Sequence, residues 1–261
     1  MTSPQVSKIF AVAEAARLWQ LYGFTSPRDL VLEDLALALG VIVLEGRLDS
    51  ADARLIRTGK RGLIRVKEDI PEVGRKRFAI AHDLGHWLLH TNVSQVLACT
   101  SEDMVAKYKA SAPEIEANYF AAELLMPEKL FAPRIRRPSL SVQLLKDLAV
   151  EFQTTLTATA IRYVELSDDY CAMVISEKGQ VRWWRGSAGF EELCWIEPGS
   201  PLSVDTVAGG VFKGEPVPDG PQRVDASAWV EDTSKLEDDF FFEEVFPLQR
   251  YGQVISVLRL P

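Results

Sequence analysis

Residues 77–90 read RFAIAHDLGHWLLH, and this stretch contains all three histidines of the 261-residue chain. An α-helix places residues four apart on one face, about 6 Å apart along its axis, so His82 and His86 can direct both imidazoles at one metal ion. Neutral imidazole is a good ligand for Zn²⁺. His90 continues the row but lies about 12 Å from His82 along the axis. The spacing therefore predicts a metal-binding helix in which His90 is a supporting or packing residue.

The residues around this row are almost all apolar or small, so the helix is expected to be buried. Burying an unpaired polar group is costly, and a metal ion would supply the polar partner that the histidines need. Gly85 costs about 1 kcal/mol of helix propensity. It predicts a close neighbour there, either another backbone or the ion and its substrate. The alternative is an amphipathic helix with incidental histidines.

A third ligand has to be a carboxylate or a thiol, because the chain has no further histidine. In the predicted helix PEIEANYFAAELLMP, Glu114 and Asn118 are four apart and share a face. Glu114 could bind the ion while Asn118 orients one of the histidines. Glu116 lies about 200° round that helix from Glu114. It is expected to face away and to complement the helix dipole. Cys99 is an outside candidate for the third ligand.

The composition is that of an ordinary soluble globular protein, with 47% apolar and 25% charged residues. No uninterrupted apolar run of about 18 residues predicts a membrane span, and the N-terminus lacks the basic region of a signal peptide. The three cysteines, Cys99, Cys171 and Cys194, are widely spaced and contain no CxxC pair. This pattern favours a reducing cytoplasm over a disulfide framework.

The formal net charge of −8 is unevenly distributed along the chain. Residues 215–245 contain ten acidic residues against two basic ones, whereas residues 54–77 contain nine lysines and arginines. Each cluster is interpreted as a solvated face; the alternative is that the basic cluster receives an acidic partner or is regulated by the acidic one. A nucleic-acid-binding protein would be basic overall, so direct nucleic-acid binding is not expected.

Periodicity and turn residues predict a compact α+β unit over residues 1–138, with the order α-α-β-β-β-α-α. Its second helix is expected to begin with Ser26 as N-cap and Pro27 at N1, and to stop at Gly40. The runs ARLIRT and LIRVKED around the turn GKRG predict a β-hairpin. Its strands could present an edge on which a substrate loop adds as a further strand, and their arginines would favour an acidic partner.

The rest of the chain is divided at residue 166. Residues 139–166 show two helical patterns around a short polar stretch, which predicts a helix-turn-helix-like linker. Its second helix begins LTATA, without the basic or amide side chains that usually read DNA. Residues 167–261 predict a small β-rich or α+β C-terminal domain, with two strands around a Lys178-Gly179 turn and a final strand in GQVISVLRLP.

The stretch RFAIAHDLGHWLLH followed by EIEANYFAAELLMP resembles the ImmA/IrrE family of metallopeptidase-like proteins. That family pairs a helix of the HExxH type with a downstream segment E-x-x-A-N-x-F-A-x-x-L-L-M-P. Both elements occur here in the same order, 28 residues apart from His86 to Glu114. The preceding helices and hairpin also agree, so the resemblance extends over roughly residues 5–165.

The resemblance implies a zincin-like fold of the gluzincin type, with His82, His86 and Glu114 as ligands of Zn²⁺ and with Mn²⁺ as the alternative metal. It also implies a cytoplasmic endopeptidase that cleaves a helix-turn-helix repressor, which relieves repression of stress-response or mobile-element genes. Some members append a helix-turn-helix-like linker and a C-terminal sensor domain resembling GAF. Residues 167–261 could be such a domain.

Asp83 departs from the family pattern, in which a glutamate at this position acts as general base on the metal-bound water. Aspartate keeps the carboxylate but is one methylene shorter. Three outcomes remain open: a shifted helix that restores the distance, a slow protease, or a metal-binding regulatory protein that binds a partner without cutting it. For the oxyanion of such a reaction, Tyr108 and Tyr119 are candidate stabilisers, with a packing role as the alternative for each.

Overall fold

The computed structural model describes residues 4–49, 51–90, 96–99 and 111–261. The chain divides into two compact units. The first consists of Met1–Leu130 with Ala149–Thr155, and the second of Phe131–Leu148 with Leu156–Pro261. Among the described residues, no helix combines the length and the hydropathy that a membrane crossing requires.

The first unit contains four helices and a four-stranded sheet within its described part. Its elements are α1 (Pro4–Tyr22), α2 (Leu32–Ala38), β1 (Val41–Gly46), β2 (Ala53–Thr58), β3 (Arg61–Lys67), α3 (Val73–Leu89), β4 (Val96–Cys99) and α4 (Ala112–Leu125). The predicted order is confirmed for these elements except for β4, a strand of four residues that the sequence analysis missed. The helix Glu128–Ile135, also within residues 1–138, was missed as well.

Helix α4 packs against both α1 and α3, and α3 in turn packs on the sheet. The indole of Trp19 on α1 donates a hydrogen bond to the carbonyl oxygen of Leu124 on α4, at 2.9 Å. On the sheet side, Gly62 of β3 leaves room for α3, because a Cβ atom there would lie 3.1 Å from the Trp87 ring. Helix α3 is thus enclosed by α4 and the sheet, and most of its residues are buried.

The sheet has the strand order β1-β3-β2-β4, with β1 parallel to β3 and the other pairs antiparallel. Strands β2 and β3 form the predicted hairpin. The expectation that this hairpin presents a free edge is wrong, because β1 pairs with β3 and β4 pairs with β2 on the outer sides. Among the described strands, the edges of this sheet are β1 and β4.

The second predicted helix is interrupted. Pro27–Asp29 form a short 3-10 turn, and α2 begins only at Leu32. Two contacts explain the break. The carboxylate of Asp29 accepts hydrogen bonds from the backbone amides of Thr25 and Ser26, both at 2.8 Å, and the guanidinium of Arg77 donates to the carbonyl oxygen of Leu30 at 3.3 Å. That carbonyl is therefore engaged by a side chain at the point where the helix would continue.

Three further helices follow α4: α5 (Glu128–Ile135), α6 (Val142–Phe152) and α7 (Leu156–Leu166). Helices α6 and α7 are the two predicted between residues 139 and 166. In the turn between them Thr154 is buried, with 9% exposure. A Cβ atom on Gly74 of α3 would overlap the backbone of Thr154 and Thr155. The turn thus packs against the start of α3.

The second unit contains a five-stranded antiparallel sheet in the order β6-β5-β9-β8-β7. From residue 167 onward its elements are β5 (Cys171–Glu177), β6 (Gln180–Gly186), α8 (Ala188–Leu193), α9 (Val207–Phe212), β7 (Gln222–Asp225), β8 (Phe240–Leu248) and β9 (Gln253–Arg259). The predicted hairpin turn is present, with Lys178 and Gly179 at φ angles of 53° and 74°, the positive values that a type I′ turn requires.

Strand β8 begins within the acidic segment 215–245, and one of its acids is fully buried. Glu243 accepts hydrogen bonds from the amides of Val207 and Ala208, from the Trp229 indole and from the Ser256 hydroxyl, at 2.8–3.1 Å. Burial raises the pKa of Glu243, although these four donors act in the opposite direction. The interpretation of this segment as a solvated face is therefore wrong for Glu243.

Candidate metal centre

Helix α3 carries the histidine row in a buried position. His82, His86 and His90 are 0%, 1% and 9% exposed. The facing helix α4 comes very close at Gly85, where a Cβ atom would lie 3.1 Å from the Cα of Ala117. The close neighbour predicted for Gly85 is therefore the backbone of α4, which brings Glu114 and Asn118 up to the histidines.

Three side chains direct one donor atom each at the same point. The Nε2 atoms of His82 and His86 are 3.0 Å apart, and the Oε2 atom of Glu114 lies 3.0 Å from the first and 3.3 Å from the second. All three donor atoms lie within 4.8 Å of one another. The structure thus brings together the three residues that the sequence analysis predicted as metal ligands.

Asn118 supports the first of these imidazoles. Its Oδ1 atom lies 2.9 Å from Nδ1 of His82. Because an amide oxygen accepts hydrogen bonds, Nδ1 of His82 carries the proton and donates a hydrogen bond to Asn118. This leaves a lone pair on Nε2 of His82. The predicted role of Asn118 in orienting a histidine is consistent with this contact.

His90 and Glu116 form a second set of contacts around His86. Nδ1 of His86 lies 3.0 Å from Nδ1 of His90, and Nε2 of His90 lies 2.8 Å from Oε2 of Glu116. The expectation that Glu116 faces away is therefore wrong. The expectation considered only the position of Glu116 on its own helix, but its partner His90 is the C-cap of α3 and leaves the helical conformation, with φ −120° and ψ 62°.

The pKa values of two of these residues are shifted by their surroundings. Burial lowers the pKa of His90, against a smaller opposite effect of its hydrogen bond with Glu116. Burial raises the pKa of Glu114, but the imidazoles of His82 and His86 outweigh it and hold that pKa well below its usual range. Glu114 is thus held as a carboxylate beside two imidazoles.

Asp83 is fully buried on α3, next to His82. Within the described part of the chain, neither of its carboxylate oxygens has a hydrogen-bond donor. Burial, and then the negative charge of Glu114, raises the pKa of Asp83 well above its usual range. A buried carboxylate without a donor is costly, and a cation held by the neighbouring residues would offset that cost.

The residues present therefore fit a metal ion. Two imidazole nitrogens and one carboxylate oxygen form the donor set of many catalytic zinc sites, in which three protein ligands leave one position open. If Nδ1 of His82 and of His86 carry the protons, three lone pairs converge within 3.0–3.3 Å of one another, an arrangement that a cation stabilises. The donor set alone does not distinguish zinc from other divalent transition metals.

The end of α3 is stabilised by Arg57, which the sequence analysis placed in a basic cluster interpreted as a solvated face, with binding of an acidic partner as the alternative. Nη2 of Arg57 on β2 donates to the carbonyl oxygens of Trp87 and His86, at 2.7 and 3.4 Å. Its guanidinium stacks on the Trp87 ring, 3.9 Å from the centroid. The sequence signal that could have indicated this is strand alternation, because Arg57 follows Ala53 and Leu55 at every second position of β2. Arg57 thus holds the helix end that carries His86.

The other candidates from the sequence are Cys99 as a third ligand and Tyr108 and Tyr119 as oxyanion stabilisers. Cys99 ends β4, and its side chain lies outside the described part of the structure. Tyr108 also lies outside the described residues. Tyr119 of α4 is contacted from α1, where Nζ of Lys8 lies 4.7 Å from the centre of its ring.

Comparison with known proteins gives one family and a fold. Residues 36–163 match the peptidase M78 family, described as the IrrE N-terminal-like domain. No curated protein sequence matches significantly. Among solved structures, a Mycobacterium tuberculosis transcriptional regulator is similar, with a TM-score of 0.57 and 18% identity over 95% of this chain and 86% of that one. At this identity the likeness concerns the fold alone.

Proposed function

Residues 36–163 form an IrrE N-terminal-like domain of the peptidase M78 family, and on that premise we propose that this chain is a metal-dependent endopeptidase. The observation that carries the proposal is the convergence of His82, His86 and Glu114 beside a buried carboxylate, Asp83. Zn²⁺ is the metal proposed, with Mn²⁺ as the alternative.

Each residue has a role in the proposed reaction. His82, His86 and Glu114 would hold the metal, which when bound supplies Lewis-acid polarisation and lowers the pKa of a coordinated water. Asp83 would accept the proton of the attacking water as general base and pass it to the leaving amine. Asn118 keeps the His82 ring in the orientation that binding requires.

The proposed substrate is a helix-turn-helix transcriptional repressor, whose cleavage would relieve repression of stress-response or mobile-element genes. This follows from the family alone. The similar Mycobacterium tuberculosis protein is a transcriptional regulator, which agrees with a regulatory setting. Residues 167–261 are proposed as a GAF-like sensor domain. A cytoplasmic location is proposed because Cys171 and Cys194 are free and buried, as thiols in a reducing compartment are.

A regulatory protein without proteolytic activity is the second candidate, and Asp83 is the observation that favours it. Its carboxylate is withdrawn by about one C–C bond length relative to a glutamate. General-base catalysis contributes about 10²–10⁴-fold to a rate, so a misplaced base would remove most of the activity and leave the metal bound. Such a protein would bind the repressor without cutting it.

The test is incubation of the metal-loaded full chain with the helix-turn-helix protein encoded beside its gene. Native protein, Asp83→Glu and Asp83→Ala are compared by mass spectrometry of the products. The endopeptidase predicts cleavage by the native protein and a rate lower by about 10²–10⁴-fold for Asp83→Ala. Binding by all three proteins, with no cleavage by any, would establish the regulatory alternative.

A further inference from the structure

The two histidine ligands are supported in different ways. His82 has a direct amide partner, Asn118, whereas the partner of Nδ1 of His86 among the described residues is another imidazole, that of His90. Nε2 of His90 in turn lies 2.8 Å from Oε2 of Glu116. The three groups His86, His90 and Glu116 form a continuous chain, which we name the Glu116 relay. The side chains of His86 and His90 are 1% and 7% exposed, and that of Glu116 is 21% exposed.

The carboxylate at the end of the relay determines where the protons lie. An ionised carboxylate only accepts hydrogen bonds, so Nε2 of His90 must carry a proton and donate it to Glu116. A neutral imidazole has one N–H group, so Nδ1 of His90 is left with a lone pair. That lone pair accepts a hydrogen bond from the N–H group at Nδ1 of His86. Nε2 of His86 is then the atom with the free lone pair, and this is the atom that faces His82 and Glu114.

For a neutral His90, the same carboxylate disfavours the opposite arrangement of protons. If Nδ1 of His90 donated to His86, the neutral His90 ring would direct a lone pair at the Glu116 carboxylate. His86 would then carry its proton on Nε2, where it would block metal binding. Hydrogen bonds from an outer partner commonly fix the tautomer of a metal-binding histidine and raise its basicity.

We propose that Glu116 is a positioning residue that acts through His90 to hold His86 in the tautomer that binds the metal. This inference rests on the proposed metal centre and deepens it. Helix α4 then contributes three times to the site within one segment of five residues: Glu114 as ligand, Glu116 through the relay, and Asn118 on His82.

Zn²⁺ affinity of the full chain, measured by competition with a chromophoric chelator, gives the first test. Loss of an outer-shell partner typically costs 10–100-fold in metal affinity, so Glu116→Ala is expected to weaken Zn²⁺ binding by roughly that factor. Glu116→Gln keeps an acceptor oxygen and is expected to restore most of the affinity. Asp34→Ala removes an exposed acid from the first turn of α2 and serves as the control for a helix-dipole effect.

Nitrogen-15 NMR of the Zn²⁺-loaded protein reports the imidazole N–H groups directly. These signals would not change if Glu116 had only a structural role. Only three imidazoles contribute to the spectrum. In Glu116→Ala we expect the Nδ1–H signal of His86 and the Nε2–H signal of His90 to shift and to exchange faster with water. The Nδ1–H signal of His82, which is bonded to Asn118, should stay in place.

A double-mutant cycle with His90→Phe distinguishes loss of the relay from unfolding of a single variant, because this substitution breaks the relay at its middle residue. His90→Phe should weaken Zn²⁺ binding like Glu116→Ala, and combining both should add little. Unchanged affinity and an unchanged His86 signal in Glu116→Ala would overturn the relay while leaving the metal centre intact. A native protein that binds neither Zn²⁺ nor Mn²⁺ would instead overturn the proposed function, and the relay with it.

Discussion

Gly85 of α3 lies directly against Ala117 of α4, with 3.1 Å between the position of an added Cβ and the Cα of Ala117. The contact is between two backbones, so neither side can rotate away as a flexible side chain would. It sets the separation between the helix that carries both histidines and the helix that carries Glu114. The geometry of the metal centre therefore depends on the absence of a side chain at residue 85.

Gly85→Ala is predicted to weaken both folding and metal binding. Alanine gains about 1 kcal/mol of helix propensity, but forcing a methyl group into a close-packed contact typically costs 1–3 kcal/mol. We expect a net loss of stability and a reduction of Zn²⁺ affinity of about tenfold, the lower end of what a disturbed outer shell costs. Thermal unfolding and chelator competition measure the two effects. A more stable variant with native affinity would contradict this account of the helix contact.

Removal of a ligand is predicted to remove the metal. Native protein should bind about one equivalent of Zn²⁺, and His82→Ala and Glu114→Ala should each lose it, because two remaining donors hold a structural or catalytic ion poorly. Metal analysis after dialysis measures this, with Glu128→Ala, an exposed acid of α5, as the control. Unchanged zinc content in both variants would exclude these residues as ligands.

Chelation should also lower the melting temperature of the native protein. A ligand at 100 times its dissociation constant stabilises the folded state by about 2.7 kcal/mol. His82→Ala should melt at the same temperature with and without chelator, since no site remains to be emptied. A chelator effect of equal size in both proteins would indicate that the metal binds elsewhere.

Arg57→Ala is predicted to destabilise the first unit by about 1.5–3 kcal/mol, the range for hydrogen bonds that involve a charged group. The substitution frees the carbonyl oxygen of Trp87 and removes the stacked guanidinium. Arg57→Lys should recover little, because an ammonium group does not reproduce the planar contact. Chemical denaturation measures the loss, and Arg61→Ala, an exposed neighbour on β3, is the control.

Asp29 is predicted to contribute to acid sensitivity. Its hydrogen bonds with Thr25 and Ser26 lower its pKa to about 2, below the value of about 3.9 for an unfolded chain. A depressed folded-state pKa gives stability that is present above the unfolded value and is lost as pH falls through the folded value. Asp29→Asn should therefore flatten the pH dependence of stability between about pH 4 and 2. A native titration midpoint near 4, measured by NMR, would contradict the assignment.

The local elements were largely predictable because they depend on short-range patterns. The histidine row and the segment from Glu114 to Asn118 each follow helical spacing, and the structure brings them together. The strand VLAC at 96–99 was missed because four residues carry too little alternation. Helix α5 was missed because Pro127 precedes it and Pro133 lies inside it.

The errors came from relationships that are not local. Whether the hairpin strands had a free edge depended on β1 and β4, which pair with them from elsewhere in the chain. Glu116 could not be placed by a helical projection, because its partner His90 lies at the point where α3 ends. Arg57 belonged to a basic cluster by composition, yet its partners are two carbonyl oxygens 29 and 30 residues away.

The hydrogen bonds of Glu243 also affect how fast backbone amides of the second unit exchange with solvent. Its carboxylate joins four separate segments, since its donors come from the start of α9, from Trp229 and from β9, and it lies on β8. A six-residue helix such as α9 would ordinarily fray and exchange its amide protons quickly. The amides of Val207 and Ala208 should instead exchange with deuterium as slowly as the paired amides of β8 and β9, because their acceptor is buried on β8 and is also held by Trp229 and Ser256.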